Sequence, residues 1–288
     1  MSLVKIGPKR ELSNKSLRGE KRAGGAALFF TLFKLSFIKA FQYRGYIFIS
    51  LLSSFIGVFV RISLWTALFR ANPVVRNTTF HDMITYMALT GLLLLFNMSG
   101  AGDRLAHRVL QGSIATDLIR PYNLKLYILS QTIGDNLAHF LLFVLPVYAG
   151  VLILFGMQTP PTLLHVLVFI VAVVNGAIIS FYYYYILGML PFWLESNWYI
   201  RFVDYAMFTL FAGAFVPIWF YPDFLVKISY YLPFRYITYE AVTFYLGRTG
   251  LPEMAGVLLR QLVWIGILLG LEAVLWRAAQ KKLTVYGG

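Results

Sequence analysis

Cysteine is absent from the 288 residues, which excludes a disulfide framework, a thiolate metal site and a cysteine nucleophile. Charge is scarce as well: 13% of the residues are charged against 59% hydrophobic, a balance that excludes an ordinary soluble domain and marks an integral membrane protein. Acids are scarcer than bases, 12 against 25. The resulting net charge of +13 would point to nucleic acid in a soluble chain, but in this one membrane topology is the first explanation to test. No G-x-x-x-x-G-K-[ST] phosphate loop occurs, nor an H-E-x-x-H zinc motif, nor a serine in a G-x-S-x-G elbow. His81, His107, His139 and His165 fall in separate segments, too scattered for a metal cluster.

Residues 1–27 hold Lys5, Lys9, Arg10, Lys15, Arg18, Lys21 and Arg22 among Gly, Ser and Asn, a composition that cannot bury a core and reads as a flexible basic tail. Over 28–43, Phe29, Phe33, Phe37 and Phe41 recur every four residues, which predicts a helix lying in the membrane interface. Spanning takes about 20 apolar residues, and six windows qualify: 46–68, 83–101, 132–155, 162–190, 203–221 and 255–278. With those spans, 18 Lys and Arg fall on the side of the termini and five on the other. The positive-inside rule therefore places both termini and the 102–125 loop in the cytoplasm. That orientation accounts for most of the basic excess, and basic residues beside a span also attract anionic lipid; no nucleic-acid partner is needed. No soluble domain or internal repeat is visible.

The 102–125 stretch is the charged centre of the chain. A helix over 103–111 places Leu105, Ala106, Val109 and Leu110 on one side and Asp103, Arg104, His107, Arg108 and Gln111 on the other. Gly112 is positioned to end it in the left-handed conformation. A turn is expected over 117–121, where Pro121 pushes Arg120 out of the α region. Such an amphipathic helix is a shape that another protein can grip; the plainer reading is a solvated loop that reverses the chain. Residues 222–252 are too apolar for an ordinary loop yet are interrupted by Lys227, Pro233, Arg235 and Glu240, which suggests two short helices dipping back into the outer leaflet.

Charges within spans are expensive and therefore informative. Arg61 and Arg260 lie inside the first and sixth windows, and Glu240 is the natural acidic partner for one of them. Together they suggest an outer gate; the alternative is that both arginines snorkel to headgroups. Asp135, Asp204 and Glu272 sit near the cytoplasmic ends of spans, not at mid-depth, which weakens a proton-coupled carrier. The run Tyr182 to Tyr185 faces every side of a helix, so packing and lipid contact are its expected roles.

The order of these parts resembles an ABC-2 type permease, and more closely the ABC-2 family transporter proteins formerly catalogued as a domain of unknown function. Three stretches carry the resemblance: 112–121 (GSIATDLIRP), Leu232-Pro233-Phe234-Arg235-Tyr236 leading to Tyr245-Leu246-Gly247, and the closing Val285-Tyr286-Gly287-Gly288. It covers 28–288; one departure is Glu240, where the family pattern has proline. The resemblance implies an all-α transmembrane domain of six spans, with a coupling helix between spans two and three and re-entrant helices between spans five and six. It further implies a non-catalytic permease subunit of an exporter in a bacterial cytoplasmic membrane. Two such chains, identical or paralogous, would form the path, and two copies of a separate ATPase would bind ATP and Mg; this chain would bind no cofactor. Asp103, Arg104, His107, Arg108, Gly112, Asp117 and Arg120 would then be the ATPase-coupling residues, with Arg104 and Arg108 facing acidic side chains of the ATPase. Arg61, Arg260, Glu240 and Pro233 would belong to the outer gate or re-entrant segment. The competing readings are an intramembrane lipid-modifying enzyme, a secondary transporter that needs no ATPase, and a scaffold.

Overall fold

The computed structural model describes residues 29–39, 44–120, 122–194 and 198–286; the expected basic tail, Pro121 and the final Gly-Gly lie outside them. Twelve helices are described: α1 (29–39), α2 (Arg44–Ala71), α3 (Phe80–Leu92), α4 (Ser99–Leu110), α5 (Ile114–Ile119), α6 (Leu124–His139), α7 (Leu145–Phe155), α8 (Leu163–Met189), α9 (Trp198–Phe211), α10 (Asp223–Ser229), α11 (Tyr239–Tyr245) and α12 (Leu251–Tyr286). A two-residue-per-strand hairpin, β1 (Val74–Val75) and β2 (Thr78–Thr79), links α2 to α3. Its turn residues Arg76 and Asn77 take positive φ of 48° and 56°, the geometry of the tightest hairpins. Thr79 then starts α3 with a capping box: its hydroxyl accepts from the Asp82 amide at 3.2 Å, and Asp82 accepts from the Thr79 amide at 2.9 Å.

Five stretches are long and apolar enough to cross a membrane: Phe48–Ala71, Phe80–Leu110, Leu124–Phe155, Leu163–Phe192 and Leu251–Lys282. Their outer faces carry exposed Phe48, Phe55 and Phe59 on α2 and Leu259, Leu262 and Val263 on α12, as expected of surfaces that meet lipid. The window expected over 203–221 is not among them. There α9 has 14 residues, which at 1.5 Å per residue reaches roughly 21 Å against a hydrocarbon core of about 30 Å. Gly213, with φ of 66°, and Pro217 stop the helical ladder, and the chain continues without helix to a 3₁₀ turn at Ile218–Phe220. The freed carbonyls are satisfied by neighbours: Tyr86 donates to Gly213 O at 2.7 Å and Thr238 to Ala212 O at 2.8 Å, the condition under which irregular backbone is tolerated at membrane depth.

A second departure concerns 103–111. These residues do not form a separate loop helix but belong to α4, which prolongs the second span beyond a break at Asn97, whose ψ is 114°. The stretch Phe80–Leu110 has 31 residues, more than the roughly 20 that a span requires. Likewise α6 begins at Leu124, eight residues before the expected window. Pro146 offers no N–H to the turn before it, and a π-helical turn at Phe140–Val144 joins α6 to α7.

The central helix is α8, which packs against α4, α11 and α12. Its crossing with α4 is made at Gly102 and Gly188: a Cβ on Gly102 would lie 2.4 Å from Tyr184 O, and one on Gly188 2.6 Å from Gly102 O. Only glycine permits that approach. Gln261 of α12, fully buried, donates to Ala172 O at 3.0 Å and to Tyr236 O at 2.9 Å, tying α12 to α8 and to the segment before α11. One apolar cluster around Tyr86, Phe234 and Phe244 fills the half that holds α10 and α11. Another around Leu105, Ile128 and Tyr185 fills the half that holds α4 and α6.

Candidate functional site

Beyond the hydrocarbon-length part of the bundle, α4, α5, α6 and the end of α12 form a pedestal braced by ion pairs. Arg104 pairs with Asp135, Arg108 with Asp117, and Lys125 with Glu272 at 2.8 Å. Asp117, 4% exposed, also accepts from the Tyr122 hydroxyl at 2.7 Å and lies 4.0 Å from Arg120. Burial, and then that hydrogen bond, raises the Tyr122 phenol above its ordinary value. The Arg108 guanidinium sits 4.8 Å from the centre of the Tyr127 ring. Arg104 and Arg108, expected to face a partner, are thus turned to carboxylates of their own chain. Asp103 is half-buried and lies 3.3 Å from Arg201.

What stands free at this end is different. Gly112 takes φ of 70° and ends α4, as its position led us to expect. The expected turn at Asp117 is instead the six-residue α5, because Ile114 drops into the core and anchors that segment. Arg120 is extended, with ψ of 146°, consistent with the proline that follows it. His107, Leu110, Leu118, Ile119 and Arg120 are exposed, Ile119 at 86%. The end of the pedestal therefore combines bare aliphatic side chains with an imidazole and a guanidinium.

A lateral cavity of about 380 Å³ opens between α2, α4, α8 and α9. Arg61, Asn97, Asp103, Arg201, Asp204 and Tyr205 supply its polar wall. On α9, Phe202, Val203 and Tyr205 are exposed at 55–71%, so this wall presents an uncovered apolar face. Arg61 donates from Nη2 to Tyr148 Oη at 3.0 Å, whereas the other two members of the expected gate line a different cavity. Glu240 is paired with Arg235 at 2.7 Å, both 4% exposed, and not with Arg61 or Arg260. Arg260 rests 5.5 Å from the Tyr230 ring centre. Pro233 starts the 3₁₀ turn Phe234–Tyr236 that delivers Arg235. Glu240 and Arg260 line one cavity and Arg61 lines another, and the five-residue step from Arg235 to Glu240 closes the direct ion pair locally. Sequence reasoning missed Arg235 as that partner and Arg201 as a wall of the lateral cavity; the short spacing to Glu240 was the only signal for the first. Each of Tyr182 to Tyr185 is buried or half-buried, in keeping with packing roles.

The sequence model of the family described as ABC-2 family transporter protein matches residues 55–287. No curated protein matches the chain significantly. The apolar helices and this match together make the chain a multi-pass membrane protein.

Proposed function

Since the chain belongs to the ABC-2 family of transporter proteins, we propose that it is the membrane-spanning permease of an exporter driven by a separate ATPase. The observation that carries this reading is the tip formed by the end of α4 and by α5, where Leu110, Leu118 and Ile119 are exposed on a charged segment between two candidate spans. Bare aliphatic side chains in water mark a partner surface, and a seat in an ATPase cleft covers them. On this reading, Arg104 and Arg108 stiffen the coupling segment through Asp135 and Asp117, while the exposed His107 and Arg120, the latter only at the edge of ion-pair distance from Asp117, contact acidic groups of the ATPase. The pairs to Asp135 and Glu272 carry a push on the tip into α6 and α12. Coupling then requires that nucleotide and substrate each prefer one arrangement of this end.

The exposed face of α9 supports pairing with a second permease chain, with the two lateral cavities forming a shared path. The short α9 and its non-helical continuation complete a six-segment topology with both termini in the cytoplasm, and α10 and α11 lie re-entrant on the outer side. The charge asymmetry supports this orientation, and a bacterial inner membrane is part of the same proposal. ATP and Mg are held by the ATPase, and this chain is non-catalytic.

The test is co-expression with the neighbouring genes, followed by purification in detergent and mass spectrometry of what copurifies. A phosphate-loop ATPase is expected with the wild type and lost in Ile119→Glu/Arg120→Glu, while the variant keeps the wild-type elution profile. A stable chain that brings no ATPase under any such condition sinks the proposal.

A further inference from the structure

At the end of the bundle opposite the pedestal, α10, α11 and the start of α12 border an open cavity of about 1120 Å³. Four cations line it, Lys227, Arg235, Arg248 and Arg260, against two carboxylates, Glu240 and Glu253. Glu240 is committed to Arg235 at 2.7 Å, and Arg248 has Asp82 at 3.9 Å. Among the described residues, Lys227 and Arg260 have no carboxylate within ion-pair distance. The Arg235 and Arg260 guanidiniums share one ring, lying 3.8 and 5.5 Å from the Tyr230 centroid. Two like charges are thus held within about 10 Å, the Debye length at 0.1 M salt, and Glu240 is hydrogen-bonded to the first of them. The cavity is short of negative charge.

We propose that this cavity binds an anionic phosphate group attached to an apolar body. A phosphate directs oxygens several ways at once and can bridge Lys227 on α10 and Arg260 on α12, whereas a planar carboxylate is matched by a single guanidinium fork. The apolar body is indicated by Tyr231, which lines the cavity and is 82% exposed. The chemistry fits both the headgroup of an anionic phospholipid and a soluble phosphomonoester. Its location on the outer surface rests on the orientation proposed above; the binding itself does not.

The experiment uses the full chain in neutral detergent, measuring by native mass spectrometry the retention of phosphatidylglycerol and of phosphatidylcholine, whose phosphate is internally neutralised. Phosphatidylglycerol is expected to be retained in preference. Its affinity should fall about tenfold in Lys227→Gln/Arg260→Gln, the loss of charge-assisted contacts, and stay unchanged in Arg70→Gln on α2. Both lining side chains are exposed, and Arg260→Gln alone is measured in parallel, so that a folding defect in the double variant does not decide the result. Glycerol phosphate is then added as competitor: displacement identifies a soluble phosphate as the ligand, and failure to displace identifies the lipid headgroup. Equal retention of the two lipids, or phosphatidylglycerol affinity unchanged in both variants, overturns the proposal. Neither result bears on ATPase copurification.

Discussion

The buried pair between Arg235 and Glu240 offers the sharpest test of the structure. Both side chains are 4% exposed, with Arg235 Nε donating to Glu240 Oε1 at 2.7 Å and Nη1 to Ser229 Oγ at 2.7 Å. Glu240→Gln keeps the volume but leaves a guanidinium buried against a hydroxyl and two tyrosine rings. Removing one partner of a buried pair costs roughly 3–5 kcal/mol. Because the amide oxygen of Gln still accepts one hydrogen bond, we expect the lower end, about 3 kcal/mol. Arg235→Gln should cost a similar amount, since it strands the carboxylate. Combining the two removes both charges, so the double variant should fall short of additivity by about 2 kcal/mol, within the range for residues in direct contact. The assay is a double-mutant cycle on unfolding in detergent, run beside a second cycle of Glu240→Gln with Arg260→Gln. Arg260 has no ion-pair contact with Glu240, and the second coupling should stay below about 1 kcal/mol. A Glu240 coupling to Arg260 larger than that to Arg235 would refute the reasoning and restore the pairing first expected from the sequence.

Three further outcomes are expected. Gly102→Ala brings a methyl to 2.4 Å from Tyr184 O; the α4–α8 crossing must open at a cost of about 1–3 kcal/mol, read as a lower unfolding midpoint, whereas Gly57→Ala on α2, with nothing within 4 Å, should be neutral. Asp117→Ala releases Arg108 and Tyr122 together; amide exchange over 110–123 should accelerate about tenfold or more, from the loss of roughly 1.5–3 kcal/mol of charge-assisted bonding, and unchanged exchange refutes the bracing role. Lys125→Met leaves the Glu272 carboxylate, 6% exposed, without its partner at 2.8 Å; a loss of about 2–4 kcal/mol is expected, and Lys125→Met/Glu272→Gln should recover part of it.

Much of this architecture was legible locally. The apolar windows near 46–68, 132–155, 162–190 and 255–278 each lie within or largely overlap a helix long enough to span, because hydropathy summed over a helix length needs no knowledge of neighbours. Gly112 and Arg120 adopt the backbone states that their own chemistry and Pro121 favour. The family was legible too, since short ordered stretches carry it, and the match over 55–287 bears it out. Tertiary structure decided the rest. Whether 203–221 continued as helix depended on Tyr86 and Thr238, remote residues able to satisfy the carbonyls that Gly213 and Pro217 set free. The partner of Arg104 lies 31 residues away on α6, a pairing that depends on how α4 and α6 pack together. Sequence spacing sets which charges share a face, but an ion pair forms where helices cross, and crossing is fixed by side-chain volume at contacts far apart in the chain.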